Sequence, residues 1–223
     1  MTAHLEIQKA MHPLNTIDQL IGQVDTALRT LFPPNQRASA RANPGEYEEE
    51  APMSPDERRH VAGLMRVNHA GEVCAQALYQ GQALTAKLTA VKAQMMQAAA
   101  EEVDHLAWCE QRLRELDSQP SHLNALWYSG SFMLGALAGL TGDRWSLGFV
   151  AETERQVAAH LQQHLRHLPA LDSRTRAVLT QMQDDEARHA EEAQSAGAAV
   201  LPVLIQKAMK SVSTLLTRSS YYW

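Results

Sequence analysis

The sequence predicts an all-α fold: a four-helix bundle with a long apolar crossover and an amphipathic helix at each end. Three observations carry this. Only 5% of the residues are aromatic, while Ala, Leu, Gln and Glu dominate, which favours helix over sheet. With 223 residues, 45% of them apolar, the chain is long enough for one core or at most two. And one pattern occurs twice, a lone Glu followed about thirty residues later by Glu-x-x-His: Glu72 with Glu102 and His105, then Glu154 with Glu186 and His189.

Residues three apart share one face of a helix, so each Glu-x-x-His aims a carboxylate and an imidazole at one point. Thirty residues make a helix, a turn and half of the next helix, so each half of the pattern is a helical hairpin. Two hairpins face to face place four carboxylates and two imidazoles in the bundle interior, the di-iron or di-manganese arrangement of ferritin-like proteins. Four Glu anions balance two divalent cations; without cations, burying those carboxylates is prohibitive.

Composition alone, 16 Glu and 10 His in 223 residues, gives about 0.7 chance Glu-x-x-His matches, so one match means little. The chain has three. The third, Glu57 and His60, reads as a helix start: Ser54-Pro55-Asp56-Glu57 places Ser at the N-cap, Pro at the first helical position and Glu at the third. Glu152 competes with Glu154 for the ligand role. Glu154 has Val150, Ala151, Val157 and Ala158 one turn away, an apolar stripe in which a carboxylate needs a partner, whereas Glu152 has Arg155. The same test selects Glu102, beside Ala98, Ala99 and Leu106, over Glu101. It decides less for Glu72, which neighbours Asn68, His69, Ala75 and Gln76.

Taken in order, residues 16–31 space Ile17, Leu20, Ile21, Val24, Leu28 and Leu31 as an amphipathic helix ended by Pro33-Pro34. A Pro-containing, partly acidic stretch follows to Pro52, so residues 1–54 read as an N-terminal helix and flexible, exposed linker, with the bundle domain at 55–223. Bundle helices are expected from about Pro55 to Leu84, Thr89 to Leu116, Trp145 to Leu168 (stopped by Pro169) and Asp172 or Ser173 to Ala196. The crossover at 118–142 has no formal charge and carries Leu123, Leu126, Trp127, Tyr128, Phe132, Leu134 and Leu137. One span there would leave the two hairpins on opposite sides of a bilayer, so the readings are a buried crossover or a helix lying in a membrane surface, with Trp127 and Tyr128 at headgroup level. Residues 200–223 support the surface reading: Lys207, Lys210 and Arg218 punctuate an apolar helix ending in Tyr221-Tyr222-Trp223, and no acidic residue follows Glu192.

A net charge of −5 without a Lys/Arg cluster argues against nucleic-acid binding. Cys74 and Cys109 form no Cys-x-x-Cys pair and read as small buried hydrophobes. No basic region precedes an apolar core at the N-terminus, so a reducing, intracellular setting is expected.

The stretch Arg66-Val-Asn-His-Ala-Gly-Glu72 resembles the opening motif of the demethoxyubiquinone hydroxylases, the 2-polyprenyl-3-methyl-6-methoxy-1,4-benzoquinone monooxygenases of ubiquinone synthesis. The resemblance runs from about Pro55 to the C-terminus and includes all six positions of the repeated pattern. It implies a carboxylate-bridged enzyme with two iron ions, peripheral to the cytoplasmic face of the cell membrane. Such an enzyme uses O2 to hydroxylate the ring of a polyprenyl quinol, with ubiquinone-biosynthesis accessory proteins as possible partners. Glu102 and Glu186 would bridge the metals, while Glu72 with His105 and Glu154 with His189 would complete the two coordination shells; hard carboxylates with one imidazole each suit iron or manganese. No catalytic residue is expected beyond the metal centre. Tyr79 and His160, on ligand-bearing helices, are candidates for substrate or outer-shell contacts, against the plainer readings of a packed Tyr and a surface His. A ferritin-like iron store or a peroxide-handling di-iron protein is the alternative; the first would lack a membrane-seeking crossover, and the second would normally add a cysteine-ligated iron.

Overall fold

The computed structural model describes residues 16–50 and 52–222; Trp223 and the first fifteen residues of the N-terminal region lie outside them. Among the described residues there are seven helices and no strand: α1 (Thr16–Leu31), α2 (Pro55–Thr85), α3 (Thr89–Glu115), α4 (Asn124–Leu140), α5 (Asp143–His167), α6 (Ser173–Ser195) and α7 (Val203–Ser220). The fold is all-helical and consistent with a ferritin-like bundle.

Helix α2 starts where its cap chemistry requires. The Ser54 side chain accepts from the Glu57 N–H, and the Glu57 carboxylate accepts from the Ser54 N–H at 2.8 Å, closing a capping box ahead of Pro55. His60 turns to Tyr221, 2.7 Å from its hydroxyl, and takes no part in the interior cluster. A three-residue connection, Ala86 to Leu88, folds α3 back on α2, and its free N–H groups at Lys87 and Leu88 donate to Asp143 at 3.0 and 2.9 Å. Asp172 caps α6 through the Thr175 N–H at 3.0 Å, and the α5–α6 hairpin repeats the first.

The antiparallel course of the hairpins stacks the interior in layers. Val61 and Met65 of α2, Trp108 and Leu113 of α3, Leu161 of α5 and Leu179 and Met182 of α6 make one apolar plug. Ala75 and Tyr79, Met95 and Ala98, Leu147 and Val150, and Ala193 make a second. On every helix the repeated Glu and His positions fall between the two, so the polar layer is sealed at both ends by side chains from all four helices.

Helix α4 lies along α2 at very short range. A Cβ at Gly81 would strike the Phe132 and Ala136 backbone, and one at Gly135 would strike Leu78. The small residues let the two backbones touch, and α4 thereby presents Leu126, Met133 and Leu137 outward, each more than half exposed. Gly142, at φ 111°, supplies the left-handed turn into α5. Tyr128 corrects one expectation: it is buried, and its hydroxyl donates to Gln80, so it points inward and not to the surface. No helix among the described residues is long and apolar enough to cross a membrane.

Helix α1 forms over the residues its periodicity predicts, with its apolar face turned outward. Ile17, Leu20, Ile21, Val24 and Leu28 are exposed, while Ala27 and Leu31 reach the cluster of Val73, Ala77 and Leu106. The stretch after α1 has mostly exposed residues, as expected of a linker, yet it is fastened to the bundle. Arg37 pairs with Glu110 at 2.8 Å, Asn43 donates to Gln111 at 3.0 Å, Glu50 pairs with buried Arg112 at 2.6 Å, and Gly45 packs against the Arg174 backbone.

Candidate metal centre

The six residues of the repeated pattern converge and are all buried. Nδ1 of His105 lies 3.1 Å from Oε2 of Glu102, 3.2 Å from Oε1 of Glu186 and 3.6 Å from Oε2 of Glu72. Nδ1 of His189 lies 3.4 Å from Oε2 of Glu186 and 3.5 Å from Oε1 of Glu102. Glu102 and Glu186 therefore each turn one oxygen to each histidine, whereas Glu72 sits on the His105 side. Ligand atoms of Glu72, Glu102, His105 and Glu186 fall within 4.8 Å of one another. Glu154 closes the group beside Glu186 and accepts from the Tyr79 hydroxyl at 2.5 Å.

The donor set fits cations. Burial, then the neighbouring carboxylate Glu102, pushes Glu72 well above the ordinary carboxylate range, and burial with Glu186 does the same to Glu154. Buried Glu102 Oε1, Glu154 Oε2 and Glu186 Oε1 have no hydrogen-bond donor among the described residues. One imidazole proton cannot serve the three carboxylates around His105 Nδ1. A cluster of this kind is stable only around bound positive charge or with protons taken up in its place.

Two outer residues were not foreseen from the sequence. Nε2 of His105 meets Oδ2 of Asp185 at 3.0 Å, and Nε2 of His189 meets Oε2 of Glu101 at 2.9 Å. The pairing is crossed: each hairpin's imidazole is oriented by the acid that precedes the Glu-x-x-His of the other. Such contacts place the proton on Nε2 and leave Nδ1 as donor to a metal. Although burial opposes it, hydrogen bonds from Arg188 and His189 hold Glu101 down at about 2. The sequence did carry a signal, an acidic residue immediately before each motif. Glu152, by contrast, bonds Arg155 at 2.7 Å and Gln156 at 2.5 Å outside the cluster.

Tyr79 thus reaches a member of the cluster. His160 does not; it is partly buried. It lines an apolar cavity of about 350 Å³ between α2, α4, α5 and α7, with Glu72 and Cys74 in its wall. Its ring packs edge-on against His164 at 3.9 Å, and His164 bonds Oδ1 of Asn68 at 2.8 Å. Burial lowers His160 to about 4 and His164 to about 3, so both are neutral. Leu134, Ile205 and Val212 line the same cavity while remaining 38–50% exposed, which puts its rim at the outer faces of α4 and α7. Cys109 is buried against Met182.

Fold and site together define a helical bundle enclosing a carboxylate–histidine cluster able to hold metal, next to an apolar cavity. The family model for ubiquinone biosynthesis protein COQ7 matches residues 59–220. A 3-demethoxyubiquinol 3-hydroxylase of Legionella pneumophila (strain Corby) is 61% identical over 212 residues, 95% of this chain and 100% of the relative. One of Acinetobacter baylyi is 58% identical over 206 residues, covering 92% and 97%. The chain belongs to the COQ7 family of ubiquinone biosynthesis proteins.

Proposed function

We propose that the protein is a di-iron monooxygenase that uses O2 to hydroxylate the ring of a polyprenyl demethoxyubiquinol, acting as a 3-demethoxyubiquinol 3-hydroxylase. The observation that carries the reading is the contact between the buried cluster and the apolar cavity at Glu72. In a family of this pathway, a hydrophobic ring admitted to that cavity meets the cluster at Glu72.

Glu72, Glu102 and His105 would hold one iron and Glu154, Glu186 and His189 the other, with Glu102 and Glu186 bridging. The division of each bridging carboxylate between the two histidines supports this assignment. When bound, two ferrous ions supply the two electrons for reductive activation of O2. The chain's own part is placement and exclusion of water. Asp185 and Glu101 fix the imidazoles, Tyr79 fixes Glu154, and the two apolar plugs close the layer. The cavity wall offers the quinol ring Leu78, Phe149 and Leu161, with His160 as a neutral polar group within it.

The isoprenoid tail would leave through the rim at Leu134, Ile205 and Val212. The exposed apolar residues of α4 and α7, with Lys207 and Lys210, suit a peripheral position on the cytoplasmic face of the membrane. The outward face of α1 adds to this surface. The test is a single turnover in 18O2 with protein loaded anaerobically with two iron(II) ions, which supply the two electrons, and demethoxyubiquinol in detergent. One 18O atom in the ring of the product supports the reading; label only in water, or no hydroxylated quinol, contradicts it.

A further inference from the structure

The two histidines of the cluster are held from outside in unequal ways. His189 is backed by Glu101, and Glu101 by Arg188 at 2.7 Å; all three belong to the bundle. His105 is backed by Asp185: the Asp185 oxygen that meets the imidazole, Oδ2, accepts from Arg41 at 2.7 Å, while its other oxygen, Oδ1, accepts from Arg188 and Gln181 at 3.2 Å. Arg41 lies in the strap between α1 and α2, before the residues matched to the family model.

Its placement is specific. The guanidinium spans two carboxylates on different helices, donating from Nε to Asp104 of α3 at 2.7 Å and from Nη1 to Asp185 of α6. The Ala40 N–H adds a bond to Asp104 at 2.6 Å. The Arg41 guanidinium carbon also sits 4.9 Å from the centre of the Trp108 ring, which itself lies 5.4 Å from the His105 ring. Both acids are buried, so they need fixed positive charge, and a rigid planar fork reaches both at set angles where an ammonium is a compact point charge.

Resting on the metal-centre reading above, we infer that Arg41 is a positioning residue of the His105 half of the centre. It anchors Asp185, Asp185 holds the His105 Nε2 proton, and the Nδ1 lone pair is thereby aimed at one of the two metals. The strap is then part of the centre. Arg188 holds Glu101 behind His189 and also reaches the far oxygen of Asp185, so what the strap adds falls on the His105 half.

The test is cobalt(II) titration of the full-length, metal-free protein, followed by its visible absorption. The unaltered chain should bind two ions. Arg41→Gln should weaken one of them by about tenfold or more, the scale of outer-shell losses at metal sites, and leave the other unchanged. The double variant Arg41→Gln with Asp104→Asn, which spares the fold one unpaired buried acid, should show the same one-site loss. Arg41→Lys should restore part of the affinity. Arg37→Gln loosens the strap at Glu110 without touching the Asp185–His105 pair, and it should leave both ions in place. Unchanged affinities in the folded Arg41 variants, or the same loss in Arg37→Gln, would overturn the inference. Failure of the unaltered chain to take up two ions would overturn the metal-centre reading and this inference with it.

Discussion

The Tyr79 hydroxyl donates to Oε1 of Glu154 at 2.5 Å, in the same plane of the bundle where Glu154 meets Glu186. Glu154 has no imidazole directed at it from its own helix, so this phenol is its anchor within the protein. Tyr79→Phe removes the anchor and little volume. Iron affinity and turnover should fall about tenfold or more, as outer-shell deletions do, with the helical content intact. Metal analysis with circular dichroism checks this; unaltered iron binding would show that Tyr79 is packing only.

Glu152 and Glu154 differ by two positions on α5 and face opposite environments. Glu154→Ala should abolish iron retention and hydroxylation. Glu152→Ala should leave both nearly intact, since it removes only contacts to Arg155 and Gln156, outside the cluster. Iron per chain in the two purified variants decides the matter, and equal losses would refute the choice of ligand.

Partly buried His160 and buried His164 make stability depend on pH. Both have folded-state values, about 4 and about 3, below the ordinary histidine value near 6.5. The unfolded chain takes up protons first as pH falls, so their contribution is complete above about 6.5 and is lost progressively down to about 4. Each can lower the unfolding free energy by up to about 1.4 kcal/mol per pH unit in that window. His164→Gln retains a donor for Asn68 and should flatten the dependence by one such increment. Urea unfolding at pH 7 and pH 5 measures it; parallel slopes in the two proteins would contradict the assignment.

The exposed residues of α4 and α7 predict reversible membrane binding. The protein should sediment with anionic vesicles and be released by alkaline carbonate. High salt should release only part of it, because the basic residues contribute about 1 kcal/mol each and are screened while apolar burial is not. Leu134→Ser with Leu137→Ser should weaken vesicle binding and turnover of a long-tailed quinol yet spare a short, water-soluble analogue. Equal loss with both quinols in a folded, iron-loaded variant would assign the segment to the core.

Much of this architecture was legible because it is written in local patterns. Apolar spacing, the Ser54 capping box and Pro169 place the bundle helices to within about two residues, and the stripe around Glu154 separates it from Glu152. What was not legible depends on which helices meet. Glu101 loses the comparison with Glu102 on its own helix and then serves His189 on α6. Arg41 reads as one polar residue in a linker until α3 and α6 bring Asp104 and Asp185 together. Tyr128 lies in an apolar run that leaves its direction open, and Gln80 on α2 decides it.

The most direct test of the central claim is the quinone content of cells from which this protein has been deleted. The account predicts accumulation of the demethoxy intermediate, with ubiquinone restored by the unaltered chain and not by Glu154→Ala. Normal ubiquinone in the deleted cells, with no demethoxy intermediate and no second hydroxylase to replace it, would contradict the account.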